Sequence, residues 1–154
     1  MTIKIGINGF GRIGRNFYRA VAKQGADMEI VAVNDLGDTA TMAHLLKYDS
    51  VLGNLDNEIN AVDDGIEIDG QLLRVLSERN PQDLPWGDLG VDVVIESTGI
   101  FTDREKAAMH IEAGAPLVIV SAPANGADAT FVVGVNDSDF DKAEHTVISN
   151  ASCT

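Results

Sequence analysis

Ile7-Asn8-Gly9-Phe10-Gly11-Arg12-Ile13-Gly14-Arg15 comes straight after the β-branched run Ile3-Lys4-Ile5-Gly6-Ile7 and leads into the amphipathic stretch Phe17-Tyr18-Arg19-Ala20-Val21-Ala22. Glycines spaced G-x-G-x-x-G say little alone. Between a strand and a helix they mark a loop that holds a dinucleotide. Gly9 permits the tight turn, Gly11 carries no Cβ to obstruct an approaching pyrophosphate, and Gly14 lets the helix lie close on the sheet. The start of that helix offers unpaired N–H groups and the positive end of its dipole to phosphate oxygens.

The next strand, Met28-Glu29-Ile30-Val31-Ala32-Val33, ends in Asn34-Asp35. This lies about twenty residues past the last glycine, where an acidic side chain accepts hydrogen bonds from the adenosine ribose hydroxyls. A carboxylate there repels a 2′-phosphate, and Leu36-Gly37-Asp38 supplies no arginine to neutralise one. These residues favour NAD over NADP. The alternative, glycines that only turn the chain and an Asp35 that is only solvated, leaves the coincidence of three features unexplained.

The remainder alternates strand and helix signals, as an α/β domain with a mainly parallel sheet requires. Thr39 to Lys47 reads as a short helix with Leu45 and Leu46 inward. Glu58 to Val62 and Gly65 to Gly70 alternate in polarity and predict a small inserted hairpin. Gln71 to Leu76 is a further strand, and Val91 to Glu96 reads as a central strand covered on both faces. A helix is expected over 103–113, ended by Gly114. Leu117 to Val120, Thr130 to Val133 and Thr146 to Ile148 complete the strands. The fold expected is a Rossmann-like dinucleotide-binding domain over residues 1–149.

With 154 residues the chain can bury a real core. Its 24 acidic and 11 basic side chains give a net charge of -13, which argues against a nucleic-acid surface. Salt adaptation and ordinary solubility both account for that acidity. No apolar stretch reaches membrane-spanning length and no signal-peptide pattern precedes the first strand, so no membrane partner is expected and a cytoplasmic location is. The single cysteine excludes an internal disulfide framework. No metal site is expected.

Ile148-Ser149-Asn150-Ala151-Ser152-Cys153-Thr154 passes from a strand into small, cap-like residues that resemble the start of a helix, so a fragment is expected. A cysteine at a helix N-terminus has its thiolate stabilised by the dipole. Beside a nicotinamide such a thiolate suits covalent aldehyde oxidation, although a lone cysteine also reads as a small buried hydrophobe.

Asn8 to Arg15, Asn34-Asp35-Leu36, Glu78-Arg79-Asn80-Pro81, Glu96-Ser97-Thr98-Gly99-Ile100-Phe101-Thr102, Ser121-Ala122-Pro123 and Ser149 to Thr154 occur in order. Together they closely resemble the first half of the phosphorylating glyceraldehyde-3-phosphate dehydrogenases. The resemblance covers essentially the whole chain, and Ser149 to Thr154 is its most specific part. It implies that Asn8, Gly9, Phe10, Gly11, Arg12 and Ile13 lie along the pyrophosphate and that Asp35 holds the ribose. Arg79 would lie by the adenine, and Thr98 and Ser121 beside the path to the nicotinamide. Cys153 would be the nucleophile, with Ser152 and Thr154 against substrate or inorganic phosphate. On the residues alone, Arg79 also reads as a surface ion-pair partner and Ser121 as a strand end.

The implied chemistry starts with the Cys153 thiolate adding to the carbonyl of glyceraldehyde 3-phosphate. Hydride leaves for NAD, and inorganic phosphate cleaves the resulting thioester to 1,3-bisphosphoglycerate. In the family the base histidine follows the nucleophile, so residues 150–154 would open a catalytic domain that lies beyond Thr154. None of the three histidines matches that base: His44 and His110 are expected to be partly exposed structural residues on helices, and His145 precedes a strand. The chain alone is therefore expected to bind cofactor with little turnover and to leave apolar surface exposed, while the whole protein would be a homotetramer. Ala115-Pro116-Leu117, where many relatives carry basic residues, and Asn125-Gly126-Ala127 depart from the pattern away from these positions. Erythrose-4-phosphate dehydrogenase shares the motifs, and a free-standing NAD-binding or redox-sensing module is the alternative from another class.

Overall fold

The computed structural model describes residues 1–151. In chain order the elements are β1 (Ile3–Asn8), α1 (Arg12–Gln24), β2 (Met28–Asn34), α2 (Thr39–Lys47), β3 (Ile59–Val62), β4 (Gly65–Ile68) and β5 (Gln71–Leu76). They continue with β6 (Val93–Glu96), α3 (Arg104–Ala107), α4 (Met109–Glu112), β7 (Leu117–Val120), β8 (Ala129–Thr130) and β9 (Val147–Ser149). These strands form one sheet in the order β3-β4-β5-β2-β1-β6-β7-β9-β8. The run from β5 to β9 is parallel, whereas β3 and β4 extend the edge as an antiparallel hairpin against β5. The expected Rossmann-like class and its inserted hairpin are both present.

Period-two alternation sorts the strand residues into two cores. Ile5, Ile7, Val33 and Ile95 point to the face covered by α1 and α2, where Met42, Ala43 and Leu46 meet them. Ala32, Val94, Val118 and Val147 point to the other face, with Trp86, Leu84 and Ala107. Gly6 stands opposite Trp86, and a Cβ there would come 2.6 Å from the indole ring. The chain runs outward from β1 to β2 on one side and, after β5, crosses back to β6 on the other side of β1. That topological switch point opens a crevice beyond the carboxyl ends of the strands.

Local chemistry explains the element boundaries. Gly25, at φ 60°, closes α1 with its N–H on the Ala22 carbonyl, and Asp38 caps α2 through the Thr41 N–H at 2.9 Å. Arg19, almost wholly buried, donates to the carbonyls of Leu46 (2.6 Å), Lys47 (3.2 Å) and Gly53 (3.0 Å). It thereby satisfies the open carbonyl end of α2 and ties the following loop to α1.

Four expectations change. Leu45 is exposed, because Met42, Ala43 and Leu46 define the inward stripe of α2. The helix expected over 103–113 is two short helices, tightened between them where the Ile111 N–H reaches the Ala108 carbonyl three residues back. The strand expected over Thr130 to Val133 stops at Thr130, since Asn136 and Asp137 side chains capture the N–H groups of Val132 and Gly134. His110 is completely buried rather than partly exposed.

Candidate functional site

The last residues of three adjacent strands form a polar row. Asn8 stands opposite Asn34 on one side and Glu96 on the other. All three are buried and, by alternation, face the α3–α4 layer. Asn34 donates to the Asn8 side-chain oxygen (2.8 Å) and Asn8 donates to Glu96 Oε2 (2.6 Å). Asn34 also exchanges bonds with the backbone of Glu78, accepting its N–H at 2.8 Å and donating to its carbonyl at 2.9 Å. The row therefore carries the loop after β5 to the mouth of the crevice.

Glu96 is the hub. Its Oε1 accepts the Thr98 N–H (3.0 Å) and the Thr98 hydroxyl (2.5 Å), and its Oε2 also lies 2.6 Å from His110 Nε2. On the far side of the imidazole, Trp86 Nε1 lies 3.0 Å from His110 Nδ1. Among the described residues no buried side-chain polar atom lacks a partner.

The crevice itself is a cleft of about 280 Å³ walled by Asn8, Gly9, Gly11, Asp35, Leu36, Arg79, Thr98 and Phe101, among others. Gly9, at φ 90°, turns the chain so close to the β6 loop that a Cβ would lie 2.7 Å from the Thr98 nitrogen. A Cβ on Gly14 would overlap the Gly9 carbonyl oxygen, whereas one on Gly11 would meet no protein atom within 4 Å. The first position is closed by the protein and the second faces open space. No side chain caps α1 at Gly11. Asp35 accepts N–H groups from Phe10 and Gly37, which fixes its carboxylate at the cleft wall.

The flank of the cleft is held by an ion pair. Arg12 grips Asp49 with two nitrogens, at 2.7 and 3.2 Å, and Asp49 also accepts the Val51 and Leu52 N–H groups at 2.8 Å. The Arg12 bond, then the Leu52 and Val51 amides, hold the Asp49 carboxyl well below the usual carboxylate range. Burial, then repulsion from Arg12, draws the neighbouring Arg15 below its ordinary value. A second hollow, of about 340 Å³, opens at the opposite end of the sheet near Ile3, Val93 and Phe140. Ligands of open parallel sheets bind at carboxyl ends, so the smaller cleft is the candidate.

Of the expected cofactor positions, Asn8, Gly9, Gly11, Asp35, Arg79 and Thr98 wall the cleft. Phe10 is buried beneath it and contributes its N–H to Asp35. Arg12 and Ile13 begin α1 alongside, with Arg12 turned to Asp49. Ser121 stands apart, after β7, donating its N–H to the Glu96 carbonyl. Ser152, Cys153 and Thr154 lie outside the described residues. Sequence reasoning assigned no role to Asn34, Ser97, Glu96, His110 or Trp86. The available signal was a run of polar residues closing three apolar strands.

A model of the family described as glyceraldehyde 3-phosphate dehydrogenase, NAD binding domain, matches residues 3–104. The chain belongs to this family. As a member of the glyceraldehyde 3-phosphate dehydrogenase NAD-binding domain family it has close relatives among bacterial proteins. It is 64% identical to the glyceraldehyde-3-phosphate dehydrogenase of Streptomyces coelicolor and 57% identical to that of Geobacillus stearothermophilus, both over its entire length. It is 58% identical to the Mycolicibacterium smegmatis enzyme of the same name. The chain spans 46% of the length of the first two relatives. Among the described residues no helix is long and apolar enough to cross a membrane.

Proposed function

We propose that residues 1–149 hold NAD for a phosphorylating glyceraldehyde-3-phosphate dehydrogenase and that residues 150–154 open its catalytic domain. One observation carries this reading: the Asp35 carboxylate, fixed by the Phe10 and Gly37 N–H groups, faces the same cleft as the bare glycine loop. Each of its oxygens keeps acceptor capacity for a ribose hydroxyl. The fit is supported at Gly11, where the space a Cβ would fill is open, and at the uncapped start of α1.

In this reading the loop from Asn8 to Ile13 lies along the pyrophosphate, the Arg12 and Ile13 amides at the uncapped start of α1 receiving its oxygens, while Asp35 binds the adenosine ribose and Arg79 lies along the adenine. Thr98 and Ser121 flank the nicotinamide end. Asp35 disfavours NADP by repulsion of the 2′-phosphate. Bound NAD supplies the hydride acceptor. The Cys153 thiolate adds to the carbonyl of glyceraldehyde 3-phosphate and, after oxidation, holds the acyl group as a thioester. Inorganic phosphate, beside Ser152 and Thr154, cleaves that bond and leaves an acyl phosphate. The whole protein works as a cytoplasmic homotetramer, the oligomer being the part that light scattering tests.

Calorimetry on the chain with NAD and NADP tests the cofactor reading, which fails if NADP binds as tightly. Phosphate-dependent reduction of NAD by the full-length protein, with glyceraldehyde 3-phosphate against erythrose 4-phosphate, tests the substrate. Equal or better use of the longer sugar would overturn that assignment.

A further inference from the structure

We propose that His110 is a positioning residue for cofactor binding. Fixed as its Nε2–H tautomer by Trp86, it locks Glu96, and through Glu96 it locks the Thr98 turn that walls the far end of the cleft. The inference rests on the NAD reading above and goes beyond it, because neither His110 nor Trp86 touches the cleft.

Donor and acceptor inventory fixes every proton. An indole N–H can only donate, so His110 Nδ1, 3.0 Å away, must present a lone pair. A neutral imidazole then carries its proton on Nε2, where it is donated to Glu96 Oε2 at 2.6 Å. Asn8 Nδ2 donates to the same oxygen, and the Thr98 amide and hydroxyl donate to the other. Four donors converge on one buried carboxylate, two per oxygen. That is the full acceptor capacity of an ionised carboxyl, reached without any formal cation.

The consequence is directional. With its proton committed to Glu96, the Thr98 hydroxyl can only accept from the Ile100 N–H, which it does at 3.3 Å. The turn from Thr98 to Ile100 is thus held in one arrangement at the cleft wall. The glycine loop leans on the same turn, with Ser97 donating to the Gly9 carbonyl at 2.7 Å. The Asp35 and Arg79 side of the cleft belongs to β2 and to the loop after β5. The Thr98 turn bonds Glu96 directly, whereas the Asp35 and Arg79 side is reached only through Asn8 and Asn34, so a fault in the His110–Glu96 pair acts chiefly on one end of a bound dinucleotide.

Glu96→Gln keeps the shape and removes one acceptor. Its amide must face two donors wherever it settles, and the rotatable Thr98 hydroxyl is the cheaper neighbour. The Thr98 N–H then loses its partner, and the hydroxyl, now accepting from residue 96, must turn its own proton away from that side chain. Calorimetry on the full chain should show NAD binding weakened roughly tenfold, the cost of a buried unpaired amide, with AMP affinity held within about twofold. AMP carries the adenosine end alone, so an equal loss for both ligands would mark a general packing effect and overturn the proposal. Unchanged NAD binding would overturn it too.

Nitrogen-15 spectra of the histidine rings at neutral pH supply an arm that needs no variant. His110 should show an unprotonated Nδ1 and a protonated Nε2, with a far-downfield proton from its short bond to Glu96. The opposite tautomer would overturn the proposal. If the wild-type chain bound AMP but not NAD, the cofactor reading would fall, while the tautomer result would still judge the relay by itself.

Discussion

The Asp35 carboxylate takes the Phe10 N–H at 2.8 Å, tying the end of β2 to the loop that follows β1. The side chain is thereby oriented before any ligand arrives, which lowers the ordering cost of binding. Replacing it by asparagine removes the charge and sets an NH₂ group against one of its two N–H donors. Asp35→Asn should weaken NAD binding roughly tenfold, about the worth of a hydrogen bond to a charged group, and narrow the gap to NADP. Titration calorimetry measures both, and an unchanged ratio of the two affinities would count against the role given to Asp35.

Gly14 and Gly11 separate folding from binding. Gly14→Ala forces a methyl onto the Gly9 carbonyl oxygen and should cost about 1–3 kcal/mol, the usual penalty of overpacking. Gly11→Ala meets no protein atom, so the melting temperature should hold while NAD affinity falls. Thermal melts and calorimetry on the two variants should give opposite patterns. The same pattern in both would remove the distinction.

Asp128 links pH to stability. Burial opposes its ionisation, but the Arg104 side chain and then the Val147 and Thr146 amides outweigh it, so the carboxyl sits well below the usual range. A depressed value in the folded state means stabilisation that is complete above the unfolded pKa, about 3.9 for aspartate, and lost as pH falls through the folded one. Asp128→Asn should cost about 1–2 kcal/mol near pH 7, where the ion pair and amide bonds are intact. The difference should vanish in strong acid. Urea melts across pH would show it, and a gap that widened in acid would reverse the sign assigned here.

Arg19 tests the α2 cap. Its guanidinium reaches three carbonyls of two turns that an ammonium cannot bridge together. Arg19→Lys should destabilise by about 2 kcal/mol, within the range for bonds from a charged donor. A melting curve matching wild type would show that water replaces those bonds without loss.

The glycine loop and Asp35 were legible because each answers a backbone requirement that a short window of sequence displays. The hairpin was legible from alternation. Leu45 departs from the expected inward position because two adjacent leucines look alike until the helix face is fixed by what lies beneath it. The network of Trp86, His110 and Glu96 was hidden for a different reason. Its members are 24 and 14 positions apart, and only the register that sets Asn8 between Asn34 and Glu96 brings them together. Nothing local distinguishes His110 from a surface histidine on a short helix.

Trp86 is the sole tryptophan and belongs to only one of the two cores. Its emission therefore follows the melting of a single layer, while far-ultraviolet ellipticity follows the helices on both sides. Recorded on one sample, the two signals form a built-in test of whether the shared sheet makes its flanking layers come apart together.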